Sequence, residues 1–249
     1  MFITNRMISA FAAALILVGA SEGCAKWSVD LETGAVFSGY NDVQIPKETG
    51  TKFSLTEDLE TDPDYFFRLR ATYSFNDRHH ISAFVAPLRL DAGGEVDRLI
   101  RFNQVEFPAY FPLKAKYRFD SYRLTYRYDL YHKEKLRVGL GFTAKIRDAS
   151  ISLQDNVKKT EKKNTGFVPL VNFKIDWMFA ERFGLLLEGD ALAAPQGRAE
   201  DVLFALQYGL NDKLRLKLGY RLLEGGADVD EVYNFTLVNY VAVGLVATF

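Results

Sequence analysis

One cysteine, Cys24, and three histidines, His79, His80 and His132, are all that 249 residues supply of the softest ligand chemistry. A single cysteine cannot build a disulfide framework. Charge of one sign is scarce too: the formal net charge is -1 and no basic block occurs, so the electrostatic footprint of a nucleic-acid binder is absent. Beyond the N-terminal segment no apolar run approaches the roughly 18 residues that a membrane helix needs. The chain has aromatic rings instead, 20 Phe and 13 Tyr, and a long-sustained alternation of apolar and polar side chains.

The N-terminus has the layout of an export signal. Arg6 precedes the apolar run Met7 to Val18, and small residues follow at Gly19, Ala20, Gly23 and Ala25. Cleavage is expected after Ala25, with Ala20 as the second choice, which removes residues 1–25 and Cys24 with them. Ser21 stands where a lipobox requires leucine, which argues against acylation of Cys24. The remaining 26–249 show no repeat and no second domain, and thiol chemistry is not expected of them.

The clearest strand is the last. Phe249, Ala247, Leu245, Val243, Val241, Leu237, Phe235 and Tyr233 share one parity, while Thr248, Gly244, Ala242 and Thr236 fall on the other. The same alternation recurs from Trp27 to Phe37, Tyr65 to Phe75, about Ile81 to Leu90 (where Pro87 interrupts it), Ser121 to Leu130, Leu136 to Arg147, Phe167 to Phe179, Phe183 to about Ala193, Val202 to Leu210 and Leu214 to Leu222. Short turns are expected at 76–78, 132–135, 180–182 and 211–212. Longer excursions are expected at 38–64, 91–116 (with Leu99 to Phe107 as a hairpin extension), 156–164, 195–200 and 224–231.

A terminal strand that alternates apolar residues and ends in phenylalanine resembles the closing strand of bacterial outer-membrane β-barrels. That resemblance implies an all-β chain, a single up-and-down antiparallel transmembrane barrel of about ten strands, with short periplasmic turns and longer extracellular loops. It also implies that Phe249, Leu245, Val243 and Val241 form an assembly signal for the barrel-assembly machinery, and that the surface meets outer-membrane lipids and lipopolysaccharide. Outward aromatics beside the short turns, Trp27, Phe75, Tyr128, Trp177, Phe179, Phe183, Tyr208 and Phe249, should then form an interfacial belt. A soluble β-sandwich is the alternative, but its strands typically run five or six residues.

The inward parity collects Arg68, Arg70, Arg89, Arg123, Arg127, Arg137, Lys145, Arg147, Lys174, Arg215, Lys217 and Arg221 against Asp30, Glu32, Asp129, Asp176, Glu188 and Asp190. Charges in a narrow lumen must be paired or wet. Neighbouring strands suggest pairing Asp30 and Glu32 with Arg68 and Arg70, Asp176 with Lys145 or Arg147, and Glu188 and Asp190 with Lys174.

Enzymes with barrels of this resemblance, proteases and lipid deacylases, rely on histidines near the extracellular rim. Here all three histidines fall at the periplasmic turns, and this layout pairs no serine with a histidine and a carboxylate. Glu224, Asp228, Asp230 and Glu231 could gather round calcium, yet their spacing fits no EF-hand, and no metal or cofactor is expected. Lys158, Lys159, Lys162 and Lys163 offer charge to lipopolysaccharide phosphates. Three functions follow: a structural or interaction barrel acting through its extracellular loops, a narrow anion-preferring pore, or an outer-membrane enzyme.

Overall fold

The computed structural model describes residues 26–249, so the export signal and Cys24 lie outside the described residues. Ten strands form the wall: β1 (Lys26–Gln44), β2 (Asp64–Phe75), β3 (His79–Ala86, resuming as Arg89–Glu95), β4 (Pro112–His132), β5 (Leu136–Gln154), β6 (Lys159–Trp177), β7 (Phe183–Ala194), β8 (Gly197–Gly209), β9 (Leu214–Val229) and β10 (Val232–Thr248). Each pairs antiparallel with its neighbour in sequence, and β10 returns to β1 in a ladder running from Ser28↔Thr248 to Gln44↔Tyr233. The barrel is closed, so no sheet edge is left unpaired in its wall.

Alternation along the strands assigns the two surfaces. Leu124, Phe142, Phe204 and Leu218 are among the outward residues more than half exposed, while their inward neighbours Arg123, Thr143, Leu203 and Lys217 are buried. An apolar band of this extent is the lipid-facing surface of a transmembrane barrel. At the short-turn end aromatic rings touch in sequence: Trp27 on Tyr73 (5.0 Å between centroids), Tyr73 on Phe75 (5.8 Å), Phe75 on His79 (5.0 Å) and His79 on Tyr128 (5.0 Å). Trp177 with Phe179 and Phe183 with Tyr208 extend the belt along β6 to β8.

Several connections expected as loops are strand. β1 continues to Gln44, β4 begins at Pro112, and the hairpins β5–β6, β7–β8 and β9–β10 run through 156–164, 195–200 and 224–231 with only tight turns at their tips. A strand that has left the bilayer no longer needs an apolar outer face, so the apolar-out alternation is lost there although the ladder persists. β4, at 21 residues, is about twice what the hydrocarbon requires. Pro87 interrupts β3 without shifting it, since Ala86↔Ser121 and Arg89↔Arg118 keep one register on β4. Gly39 does shift the register: β1 bulges between Ser38 and Tyr40, which turns Asn41 and Val43 inward above it.

The long-strand end is stoppered. Residues 45–63 fold over the mouth, adding Phe53–Ser54 to β1 and Glu60–Thr61 to β3, and the hairpin Ile100–Phe102 with Val105–Phe107 lies beside them. Phe53, Leu55, Ile100, Phe102 and Phe107 join Val36, Leu113, Leu153 and Val238 in one apolar core that fills the upper barrel. Arg98 clamps the two segments by donating to both oxygens of Asp58 at 2.8 and 2.7 Å, which holds the Asp58 carboxyl below the usual carboxylate range.

Close strand contact leaves no room for a side chain at several wall glycines, Gly141 among them. A Cβ at Gly141 would sit 2.0 Å from the carbonyl oxygen of Tyr126, whereas one at Gly93 would meet nothing nearer than 3.6 Å. Gly141→Ala should lower the folded fraction seen as heat-modifiable gel mobility, and Gly93→Ala should leave it unchanged.

Candidate functional site

Below the apolar stopper the lumen is crossed by a layer of ion pairs. Asp201 of β8 is its hub, accepting from Arg68 (3.2 and 2.6 Å), Arg123 (2.5 Å) and Arg221 (2.6 Å). Arg123 also donates to Asp190 at 2.7 Å, and Asp190 accepts in addition from Thr143 and Asn172. Arg221 and Lys217 converge on Glu32, Lys217 reaches Asp30 at 2.6 Å, and Arg70 reaches Glu188 at 3.0 Å. The guanidinium carbons of Arg68, Arg70 and Arg123 stand 4.9–5.2 Å from the ring centroid of Phe84, an apolar floor that also attracts cations. Asp201, Asp190, Glu32, Glu188, Arg68, Arg123, Lys217 and Arg221 are buried, while the side chains of Asp30 and Arg70 at the lower edge are 16% and 15% exposed.

Of the expected pairs Lys174 does stand by Glu188, at 4.0 Å, but the rest of the pairing differs. Glu32 and Asp30 are backbone partners of Arg68 and Arg70, yet those arginines reach across the lumen to β8 and β7, because a guanidinium on its long stem spans the bore while a carboxylate stays near its own wall. Asp176 pairs with Arg215 (3.1 Å) and Asp190 with Arg123, not with the lysines of neighbouring strands. Lys145 lies buried against the Phe119 ring, and Arg147 donates to Asn164. Arg89 is not inward at all: it sits on the outer parity of β3 and pairs with Asp120 above the apolar band. Asp201 was missed because Pro195 to Glu200 reads as a loop; its shared parity with Leu203, Ala205 and Gln207 was the available signal.

Carboxylate clusters here already hold protein cations. Oxygens of Asp30, Glu32 and Glu188 lie within 4.8 Å of one another, but Lys217 and Arg221 supply the positive charge among them. At the β9–β10 tip Glu224 takes Arg198, Asp228 takes Lys47 and Glu231 takes Lys162, so these acids do not converge on one point.

Beneath the ion-pair layer, the short-turn end opens into a vestibule of about 420 Å³. Arg127, Asp129, Lys174, Asp176 and Arg215 line its wall and Arg137 stands exposed in it. His80 and His132 face it, while His79 faces outward and bonds Tyr126 at 2.8 Å. Contrary to the expected layout, a serine does meet a histidine and a carboxylate. Ser74 Oγ lies 2.8 Å from His80 Nδ1, and His80 Nε2 lies 3.0 Å from Asp129 Oδ2, although off the axis of a ring N–H bond.

No protein-family model matches the chain, and no curated protein matches it. Among solved structures the outer membrane protease OmpT of Escherichia coli superposes with a TM-score of 0.59 at 10% identity, covering 90% of this chain and 97% of that one. Ail of Yersinia pestis (TM-score 0.41, 11% identity, 90% and 99% covered) and an outer membrane channel of Pseudomonas putida F1 (0.41, 12%, 92% and 97%) align more loosely. The closed barrel, its apolar band and the OmpT superposition define an outer-membrane β-barrel protein.

Removing the hub should be costly. Asp201→Asn leaves three buried guanidinium groups short of charge and should destabilise the folded barrel by about 3–5 kcal/mol. Arg101→Gln, which breaks an exposed pair with Glu106, should change it by less than about 1 kcal/mol. Denaturant unfolding in lipid vesicles compares them.

Proposed function

We propose that the protein is a non-conducting outer-membrane barrel acting as a rigid scaffold whose extracellular hairpins make its contacts. The observation that carries this reading is the double closure of the lumen. An apolar stopper containing Val36, Ile100, Phe102 and Val238, each fully buried, lies above the ion-pair layer. A pore needs a continuous wet path, and neither layer offers one. Long ladders such as β5–β6, paired out to Gln154↔Lys159, give the emerging hairpins the stiffness that a binding surface needs. Lys158, Lys159, Lys162 and Lys163 cluster at that tip and suit phosphate groups of lipopolysaccharide, with Lys162 also tied to Glu231. On this reading Phe249, exposed on the lipid side with Val241, Val243 and Leu245, serves the barrel-assembly machinery as its recognition strand.

Planar-bilayer recording of refolded protein tests the closure. The expected result is no steady conductance; stable channel openings would restore the pore, and anion preference would then fit the basic excess of the lumen.

One observation favours an enzymatic reading instead, the contact chain Ser74–His80–Asp129 in the vestibule. The fold likeness to a protease does not support it, since that likeness is one of architecture and the histidines here stand at the opposite end from the extracellular rim. A serine activated through His80 would react with a fluorophosphonate probe and Ser74→Ala would abolish the label. An unlabelled wild-type protein would leave the scaffold reading alone.

A further inference from the structure

We propose that the short-turn vestibule is a binding site for a small multivalent anion, a phosphate- or carboxylate-bearing molecule that enters from the periplasm and is held by Arg127, Lys174 and Arg137. The cavity is of the size small-molecule sites have, and the ion-pair layer forms its blind end.

The lining cations divide into two kinds. Arg70, Arg215 and Lys217 are consumed by Glu188, Asp176 and Asp30 at 3.0, 3.1 and 2.6 Å. On the arc from β4 to β6 the cations have no such partners. Arg127 has a side chain only 9% exposed, its Nε is buried without a hydrogen-bond partner, and the nearest carboxylate oxygen, on Asp129, is 3.9 Å away. Lys174 stands 4.0 Å from a Glu188 oxygen that Arg70 already holds. Arg137 enters no ion pair among the described residues, and it opens onto the same cavity.

The register directs these groups toward one place. Arg127 lies opposite Gly141, and Gly139 lies between Asp129 on one side and Lys174 on the other. A Cβ at Gly139 would come within 2.8 Å of Arg127 Cδ, so the missing side chain is what lets the arginine stem cross β5 toward Lys174. A buried guanidinium without an acceptor is costly, and a bound anion supplies charge-assisted bonds where the wall supplies none. Two chemistries carry such charge, phosphate and clustered carboxylates, and geometry alone fits both.

Calorimetric titration of refolded full-length protein in a zwitterionic detergent at low salt, with inorganic pyrophosphate in one arm and citrate in the other, tests the site. Saturable binding is expected in at least one arm, weakening with added salt. The arm that saturates identifies the chemistry. Arg127→Gln and Lys174→Gln should each weaken binding at least tenfold, while Lys163→Gln at the opposite end should not. Heat-modifiable mobility checks that each variant folds; should Arg127→Gln not fold, Arg137→Gln in the open mouth carries the same expectation. Failure of both anions to bind, or binding indifferent to these substitutions, overturns the proposal. Conductance does not enter this measurement, so it stands or falls separately from the scaffold reading.

Discussion

Charge in the middle of a narrow barrel must be answered by charge, and the architecture here follows from that requirement. Asp201 answers three arginines at once, and none of them comes from the strand beside it except Arg221. Arg68 reaches from β2 and Arg123 from β4, so the bonds run across the bore rather than along the wall. Bonds of that kind fix the distance between opposite walls. They also occupy the space that a water thread would need, and the Phe84 ring fills what the guanidinium groups leave.

Period-two alternation made the wall legible because the bilayer imposes it. Wherever a residue faces lipid it must be apolar, and wherever it faces the lumen it has room to be polar, so all ten strands could be read within the membrane, although β3, with apolar residues on both faces, shows no clear parity. Above the membrane that pressure is lost. β4 there still alternates, with Lys114, Lys116 and Arg118 outward and Leu113, Ala115 and Tyr117 inward against the stopper, so its faces are the reverse of the apolar-out pattern by which the wall strands are read. Arg89 fell to the wrong face because parity was carried unevenly past Pro87, although the proline costs a hydrogen bond and not a register position.

The pairing inside the lumen was not legible, for a different reason. Sequence supplies neighbours along the sheet, and backbone partners such as Glu32 and Arg68 look like natural pairs. Which cation an acid takes depends instead on the curvature that brings β8 opposite β2, a property of the closed sheet and of no single hairpin. The serine, histidine and aspartate of the vestibule were hidden similarly: Ser74 and His80 flank one turn, but Asp129 enters from β4, opposite that turn.

The excess of inward basic residues read from the sequence takes a different meaning once the lumen is resolved along its axis. Spread evenly through an open bore, it would set the ion preference of a channel. The ion-pair layer matches cations to acids nearly one for one, and the apolar stopper needs neither. What remains unmatched lies on β4, β5 and β6: Lys145 against Phe119 and Arg147 on Asn164 higher up, and Arg127, Arg137 and Lys174 in the cavity at the short-turn end. On the binding proposal, positive charge in such a recess does not select ions in transit but holds one. The same composition that suggests anion passage in an unfolded list of residues therefore argues, in the folded barrel, for anion residence.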